Sequence, residues 1–453
     1  MPPRALLTSY RRLFAAPGAV AFTLAGLLGR MALSMNGVAL VVLLSERRGS
    51  YGLAGAVSAA GLVTGAIGMP LIGRLVDRYG QARVTVPAAL GNAVPLTGLL
   101  LCVRLGAPDW ALLLCSAACA TAPNLGGMAR TRWAHLYRDD PAARHLANSF
   151  EQALDELCFM AGPVIAMLLC TAIAPEAGLV SVGVLGTAGA LLFAAQRRTE
   201  PPLPVGESTG RHGSPLRVPG LRVLVLTFLA TGMVFGATEI TTVAYADALG
   251  HKASAGLLLA LVAAGSCVAG LLFGLLTPRR AAGPRFLLGA SAMAAVLLLP
   301  LAAGLGGAGL GLLGVALFAA GTATAPTMVT GMTLVQELLP RRQFNEGMAL
   351  AVSGIVVGIS MGAALAGTVA ERAAPGTGYA LPAAAAGLAL LVALAGRRQL
   401  TGRRAAADGP GGPGDGGGGG AVGAAAGGGG GGAAGGAGDG APENAERVVS
   451  PSL

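Results

Sequence analysis

The chain reads as an all-α integral membrane protein whose twelve transmembrane helices form two parallel six-helix repeats. Three observations carry that reading. Apolar residues fill 54% of the 453 positions and charged residues only 11%, with a mean hydropathy of +0.68; that is too little charge to cover a water-facing surface. Apolar runs long enough to cross a hydrocarbon core of ~30 Å recur along the chain. They come as six, a polar break, and six more.

The runs fall near 18–44, 52–72, 84–104, 109–129, 148–172 and 177–196, then near 221–247, 254–276, 285–303, 308–332, 344–370 and 377–396. Arg4, Arg11 and Arg12 precede the first run. It is too long for a signal-peptide core and more spans follow, so it is expected to stay as the first helix. Interior prolines such as Pro95, Pro163, Pro300 and Pro382 are no objection, because membrane helices tolerate them. The organisation predicted is a six-helix bundle over 1–196, a Pro-, Gly- and charge-rich cytoplasmic linker over 197–220, and a second bundle over 221–398. A tail over 399–453 follows. From Gly409 to Gly440, 20 of 32 residues are glycine, so that segment cannot build a core and is expected to be disordered.

The net charge of +10 is almost all arginine, since Lys252 is the sole lysine. Those arginines sit in short turns between apolar runs, which is a topogenic pattern and argues against nucleic acid as a partner. With the N-terminus inside, 25 Lys and Arg fall on the cytoplasmic side and 5 outside, and the short loops alone divide 12 against 5. Both termini are therefore expected in the cytoplasm, and the Ala, Gly and Arg bias suggests the inner membrane of a high-GC bacterium. The partners expected are the lipid bilayer and a small-molecule substrate, with the chain a monomer. The six cysteines lie in apolar runs, none in a CxxC pair, and Cys115 and Cys119 have no nearby His or Asp to complete a metal site. Neither metal nor cofactor is expected.

The halves look like diverged copies. Gly55 and Gly73 match Gly256 and Gly274 at a constant offset, and "TAPNLGGM" from Thr121 matches "TAPTMVTGM" from Thr324. Six helices per copy insert both halves the same way up.

The most specific motif is "GRLVDRYGQAR", Gly73 to Arg83, between spans 2 and 3. Gly73 and Gly80 permit a tight turn, and Asp77 suits the positive end of a neighbouring helix. The bland alternative is a charged turn that sets topology. The segment closely resembles the loop signature of the major facilitator superfamily, G-x-L-x-D-R-x-G-x-x-R. The resemblance implies two six-helix bundles around a central cavity that rock to expose it to either side. It also implies that Asp77 and Arg78, within Gly73, Gly80 and Arg83, hold the cytoplasmic gate closed against span 11, where Asn345 is the expected N-cap.

In span 5, Gly162 and Pro163 of "AGPVIAM" resemble the Gly-Pro core of the antiporter motif of drug exporters, although Ala166 and Met167 replace its later glycines; a simple kink is the alternative. The interior arginine that many exporters carry in span 4 is missing, because Arg130 and Arg132 come only at its end, where snorkelling and topology account for them. Glu151, Asp155 and Glu156 cluster at the start of span 5. They either bind protons, pair with Arg130 or Arg144, or simply favour a helix N-terminus. Gly354, Gly358 and Gly362 in span 11 form a small-xxx-small series suited to close helix packing. "GLGGAG" from Gly304 matches a dinucleotide fingerprint only formally, as no strand precedes it.

Arg30 in span 1 and Glu239 in span 7 are the outstanding charges within apolar runs, where each costs about 2.5–3.5 kcal/mol to insert. Similar depths suggest that they pair across the cavity, with Asn36, Asn124, Thr242, Tyr245 and Thr327 as polar neighbours on a substrate or proton path.

The function expected is secondary active transport by alternating access, a proton-coupled efflux of an apolar or amphipathic compound of the multidrug kind, energised by a proton gradient. A nutrient importer or facilitator of the same fold is the first alternative. A membrane scaffold or sensor, or an intramembrane enzyme, is the alternative of another class; such an enzyme needs paired aspartates on facing helices, HExxH or a serine elbow, and the only DD pair, Asp139-Asp140, sits before Pro141 in a loop, while no Walker sequence for ATP occurs.

Overall fold

The computed structural model describes residues 3–203, 213–251, 254–276, 280–372 and 374–401, which belong to one compact unit. Residues 204–212 of the linker and the glycine-rich tail from 402 lie outside the described residues.

Twelve helices are long and apolar enough to cross a membrane, and the described residues contain no strand. The first six are α1 (Ala19–Arg48), α2 (Tyr51–Tyr79), α3 (Gln81–Arg104), α4 (Asp109–Leu136), α5 (Pro141–Ala172) and α6 (Ala177–Ala195). The second six are α7 (Pro219–Ala248), α8 (Ala255–Gly274), α9 (Ala282–Leu305), α10 (Leu310–Leu338), α11 (Phe344–Arg372) and α12 (Ala380–Ala395). Twelve alternating crossings bring both ends of the chain to one face, called here the terminus face.

Two helices depart from their hydropathy runs, and both departures matter for the site. In α4 the regular helix stops at Ala118, turns through Cys119–Thr121 and resumes at Leu125. Pro123 pushes Ala122 to extended backbone (ψ 124°), and the Asn124 side chain then accepts the Gly127 N–H at 3.0 Å to start the second segment. That segment carries Arg130 and Arg132 inward. Helix α5 starts about two turns before its apolar run. Asp140 caps it by accepting the Ala142 and Ala143 N–H groups at 3.0 and 2.9 Å, with Pro141 in the first turn. Glu151, Asp155 and Glu156 therefore lie deep within the helix, not at its start as expected, and no N-terminal dipole accounts for them.

In lipid, helices gain little from apolar contact alone, so close backbone approach has to hold them together. The α7–α11 pair shows this directly. A Cβ on Gly354 would lie 2.9 Å from the Val225 carbonyl oxygen, and one on Gly358 or Gly362 would strike the Leu229 or Met233 carbonyl; Gly232 and Gly236 of α7 are as tightly placed against α11.

The clusters of buried apolar side chains each lie wholly inside one half. Phe22, Trp133 and Phe193 anchor one in the first half; Phe228, Phe286 and Met332 anchor another in the second. An amphipathic helix, Pro3–Leu13, lies ahead of α1. Its Tyr10 stacks near Phe150 (6.1 Å) and donates its hydroxyl to the Leu271 carbonyl of α8 at 2.8 Å, so it bridges the halves. Burial pushes the Tyr10 phenol up, keeping it a donor.

The α7–α11 contact predicts opposite outcomes for one substitution at two glycines. Gly358→Ala should destabilise by about 1–3 kcal/mol through overpacking. Gly256→Ala, where a Cβ meets nothing within 4 Å, should be neutral or stabilise by about 0.5–1 kcal/mol. Thermal midpoints in detergent check this, and equal shifts at the two sites would refute it.

Candidate functional site

Arg30 is 7% exposed within α1 and does not reach Glu239. Its guanidinium turns to α5 of its own half, where Nη1 lies 2.7 Å from Glu151 Oε2 and 3.1 Å from Asp155 Oδ1. Asp155 Oδ2 receives Arg130 Nη2 at 2.6 Å, and Glu151 Oε1 receives the Trp133 indole N–H at 2.6 Å. Two arginines and two carboxylates thus neutralise one another. The predicted Arg30–Glu239 pair is corrected accordingly: a buried guanidinium takes the acids one helix away, and Glu239 is exposed on α7 with no ion pair among the described residues.

The sequence reading placed Arg130 and Arg132 at an interfacial helix end, yet they are 2% and 0% exposed. Arg132 is held without an acid. It donates to Gln81 Oε1 (2.8 Å), the Phe193 and Gln196 carbonyls (3.0 and 2.9 Å) and Thr199 Oγ1 (2.8 Å), and its guanidinium lies 3.9 Å from the Phe193 ring centroid. It adds a charged donor to carbonyls at the C-terminal end of α6, where a cation is favoured. Only the break in α4 turns these residues inward, and Pro123-Asn124 was the one sequence signal for it.

At the terminus face, Asp77 meets the first turn of α11. Its Oδ1 accepts the Asn345 backbone N–H (3.1 Å) and side-chain amide (2.7 Å), and Oδ2 accepts the Glu346 N–H (2.9 Å). Asn345 is therefore inside the helix, and Asp77 itself supplies the capping oxygens from the other half. Gly73 is not part of a turn. It lies within α2, where a Cβ would fall 2.7 Å from the Asn345 carbonyl oxygen, so glycine is what lets the two backbones touch. The turn belongs to Gly80, at φ 94°. Arg78 lies beside its neighbour Tyr79 (5.1 Å to the ring centroid) and Arg83 is exposed. The arginine of this segment that does cross to α11 is Arg74, which grips Glu346 at 3.0 and 2.6 Å and was not singled out from the sequence. Glu200 of the linker was also missed; it caps α3 through the Ala82 N–H at 2.9 Å.

Further bonds between the halves join α4 and α5 to α8, α9 and α10. Asn148 donates to Thr333 and Gln336 (3.1 and 3.2 Å), Gln336 to the Arg130 carbonyl (3.3 Å), and Arg285 to His145 Nδ1 (3.1 Å). The ring's Nε2 accordingly donates to the Phe273 carbonyl at 2.9 Å. Ser266 of α8 donates to Glu156 at 2.9 Å. At the opposite face the polar contacts stay within one half: Arg47 with Glu176 (2.8 Å), Tyr379 with Thr242 (3.0 Å), Tyr245 with the Ala308 carbonyl (2.9 Å). Among the described residues, then, polar bonds join the halves on the terminus side only.

The remaining expected path residues do not gather around Arg30. Thr242 and Tyr245 brace the second half near the opposite face, and Thr327 bonds back to the Ala323 carbonyl at 3.0 Å while packing against Gly289 of α9. Asn124 is a helix cap and Asn36 is half-buried in α1. Gly162 brings α5 against Ser34 of α1, and Pro163 sits in an unbroken helix.

The Major Facilitator Superfamily profile matches residues 22–324. The chain belongs to the major facilitator superfamily. It is 29% identical over 374 residues, 80% of this chain and 90% of the relative, to the uncharacterized MFS-type transporter y4rN of Sinorhizobium fredii. Solved structures share the fold of this superfamily member at about 15% identity. The human organic anion transporter MFSD10 (TETRAN) matches at TM-score 0.63 and 15% identity, over 83% of this chain and 98% of that one. A bacterial homologue of the iron transporter ferroportin, in an outward-facing state, matches at 0.64 and 15% over the same shares. The transporter FucP, in the outward conformation, matches at 0.62 and 14% over 84% and 98%. The fold is thus that of multi-pass membrane transporters, and the family's members are transporters, not enzymes.

Two predictions follow from the charges. Arg30→Ala strips Glu151 of its cation inside the bundle and should cost about 3–5 kcal/mol, read as a lowered thermal midpoint or lost monodisperse protein. Adding Glu151→Gln should recover part of it, and a single variant as stable as the parent would refute the pairing. Glu176, by contrast, is held below the ordinary carboxylate range of 4.5 by the hydrogen bond from Arg47 and by Arg104 nearby. A depressed carboxylate stabilises fully above its ordinary value and loses that contribution as pH falls through the folded value. Arg47→Gln should therefore lower the midpoint at pH 7, by about 1 kcal/mol or less since Arg47 is half-exposed, and make progressively less difference as pH falls below 4.5.

Proposed function

We propose that this chain is a secondary active transporter that works by alternating access, exporting an apolar or amphipathic small molecule in exchange for protons. One observation carries the reading: two halves with separate apolar cores are fastened to each other by polar bonds on one face only. Such halves can rock about that seam without breaking either core. The arginine distribution supports a cytoplasmic terminus face, so the face on which the halves are bonded to each other is read as the inner one. Asp77 is then the inner latch. It binds backbone N–H groups at the positive end of α11, an arrangement that requires the two halves to be together.

The exposed surface of large apolar side chains, such as Val94 and Val164, supports a protein embedded in lipid, the Ala, Gly and Arg bias supports a bacterial plasma membrane, and a monomer is the proposed unit. Export rests on the partial Gly-Pro resemblance in α5. The sequence contains no Walker motif, which favours an ion gradient over ATP as the energy source.

Proteoliposomes with an imposed proton gradient, screened with lipophilic cations, organic anions and sugars, test the proposal. Uptake against the compound's gradient in exchange for protons supports it, whereas co-directional proton and solute movement would reverse the direction. Asp77→Asn should insert normally but lower turnover about tenfold or more, with faster thiol labelling from the terminus face. Unchanged flux and labelling would reduce the motif to a topogenic turn.

A further inference from the structure

Helix α5 carries three acids, and the structure neutralises only two. Glu151 and Asp155 share Arg30 and Arg130. Glu156 has no Arg, Lys or His within ion-pair distance among the described residues. Its Oε1 instead accepts two neutral donors, Gln152 Nε2 at 3.0 Å and Ser266 Oγ at 2.9 Å. Ser266 is 1% exposed, and the Thr324 hydroxyl of α10 lies 3.0 Å from its Oγ. Glu156 is partly buried and keeps some access to solvent.

Its place on the seam is distinctive. Along α8 the other bonds to the first half are at Leu271 and Phe273, near the terminus face. The Ser266 bond is the deepest, roughly 12 Å inside the Gly274 end at 1.5 Å per residue. Beyond it toward the opposite face, Leu157, Phe159 and Met160 of α5 are exposed. The charged and titratable groups around Glu156 are Glu151, Asp155 and Cys158 on α5, Arg30 on α1, Arg130 on α4 and Cys267 on α8. Helix α10 contributes Thr324 there. Both arginines are committed to the other two acids.

We propose that Glu156 is the proton-binding carboxylate of the transport cycle, loaded while the terminus face is closed and unloaded when α5 and α8 part. The inference rests on the transport reading and names the residue that reading requires. Removing a carboxylate from water costs more than two neutral donors return. In the closed seam the neutral acid is therefore favoured, and its carbonyl oxygen still accepts from Ser266 and Gln152. When the halves separate at the terminus face, water solvates the group and the proton leaves to it. One proton is taken up and one released per cycle, with no other bond changed. Low pH should thus favour the closed seam, and high pH should open it.

Hydrogen–deuterium exchange of the purified full chain tests this without any substrate. The readout is protection of the Phe344–Met348 segment, whose amides Asp77 binds, corrected for the chemical pH dependence of exchange. Protection should fall about tenfold between pH 6 and pH 9. Glu156→Gln, a permanent stand-in for the neutral acid, should stay protected at both, while His145→Gln should keep the parental response. Should Glu156→Gln fail to fold, Ser266→Ala serves instead. It removes a donor to the carboxylate, so the midpoint of the response should move to higher pH. A parent without a pH response, a Glu156→Gln protein that responds like the parent, a response abolished by His145→Gln, or a midpoint unmoved in Ser266→Ala would each overturn the assignment. The two readings fail separately, because a liposome screen that finds no flux leaves this response intact, and a flux-active protein without the response overturns Glu156 alone.

Discussion

The rest of the structure depends on one constraint: each half closes its own apolar core. In a bilayer the lipid is as good an apolar partner as another helix, so two bundles have no hydrophobic reason to stay together. What joins them has to be polar or very close-fitting. Both devices occur where α2 meets α11, where glycine at position 73 lets the backbones touch and the Asp77 carboxylate takes up amides that the start of α11 cannot satisfy internally.

The halves solve their internal problem differently, although they descend from one repeat pattern. The first half is held by charge. Arg30, Arg130 and Arg132 are all buried, and each is matched either by α5 acids or by carbonyls at the end of α6. The second half is held by small residues. Glycines zip α7 to α11, and Thr227, Thr231, Thr327 and Thr330 bond back to their own helix carbonyls, hiding their hydroxyls in the packing. The break in α4 marks the divergence. Pro326, the counterpart of Pro123, sits inside an unbroken α10, so that helix carries no arginine inward.

Most of the fold was legible in the sequence because lipid imposes a single rule, roughly twenty apolar residues per crossing, and twelve runs obey it. The family signature was legible for the same reason that it works: glycine and aspartate at fixed spacing are needed for one backbone-to-backbone contact. Hydropathy misled where helices are not apolar. It cut α5 short at the polar stretch before 148, which turned three deep acids into a helix start, and it ended α4 before the segment that buries Arg130 and Arg132. The Arg30–Glu239 pairing failed for a related reason. Depth along an axis fixes where a residue sits across the membrane, but not which neighbour it faces, and the partners of Arg30 had been misplaced at the interface. Nothing in the pattern distinguished Arg74 from Arg78, since two arginines four residues apart share one face of α2, and which of them reaches Glu346 depends on where along α2 the start of α11 lies.

The composition of the seam bears on whether it can reopen. Among the described residues one ion pair crosses between the halves, Arg74 with Glu346, and Arg74 is half-exposed, so it contributes about 1 kcal/mol or less. The other links are hydrogen bonds, each worth about 0.5–1.5 kcal/mol net between neutral groups and about 1.5–3 kcal/mol where the Asp77 carboxylate or the Arg285 guanidinium takes part. The strongly paired charges, Arg30 and Arg130 with Glu151 and Asp155, stay inside one half and need not separate when the halves rock. That division suits a protein whose two states must lie within a few kcal/mol of each other, because a ligand or a proton shifts an equilibrium only by its difference in affinity for the two states. A seam built from buried ion pairs would hold too firmly to be released by one proton. A seam made mostly of hydrogen bonds, in which the carboxylates of Asp77 and Glu156 carry no ion pair among the described residues, keeps the balance within reach of that proton.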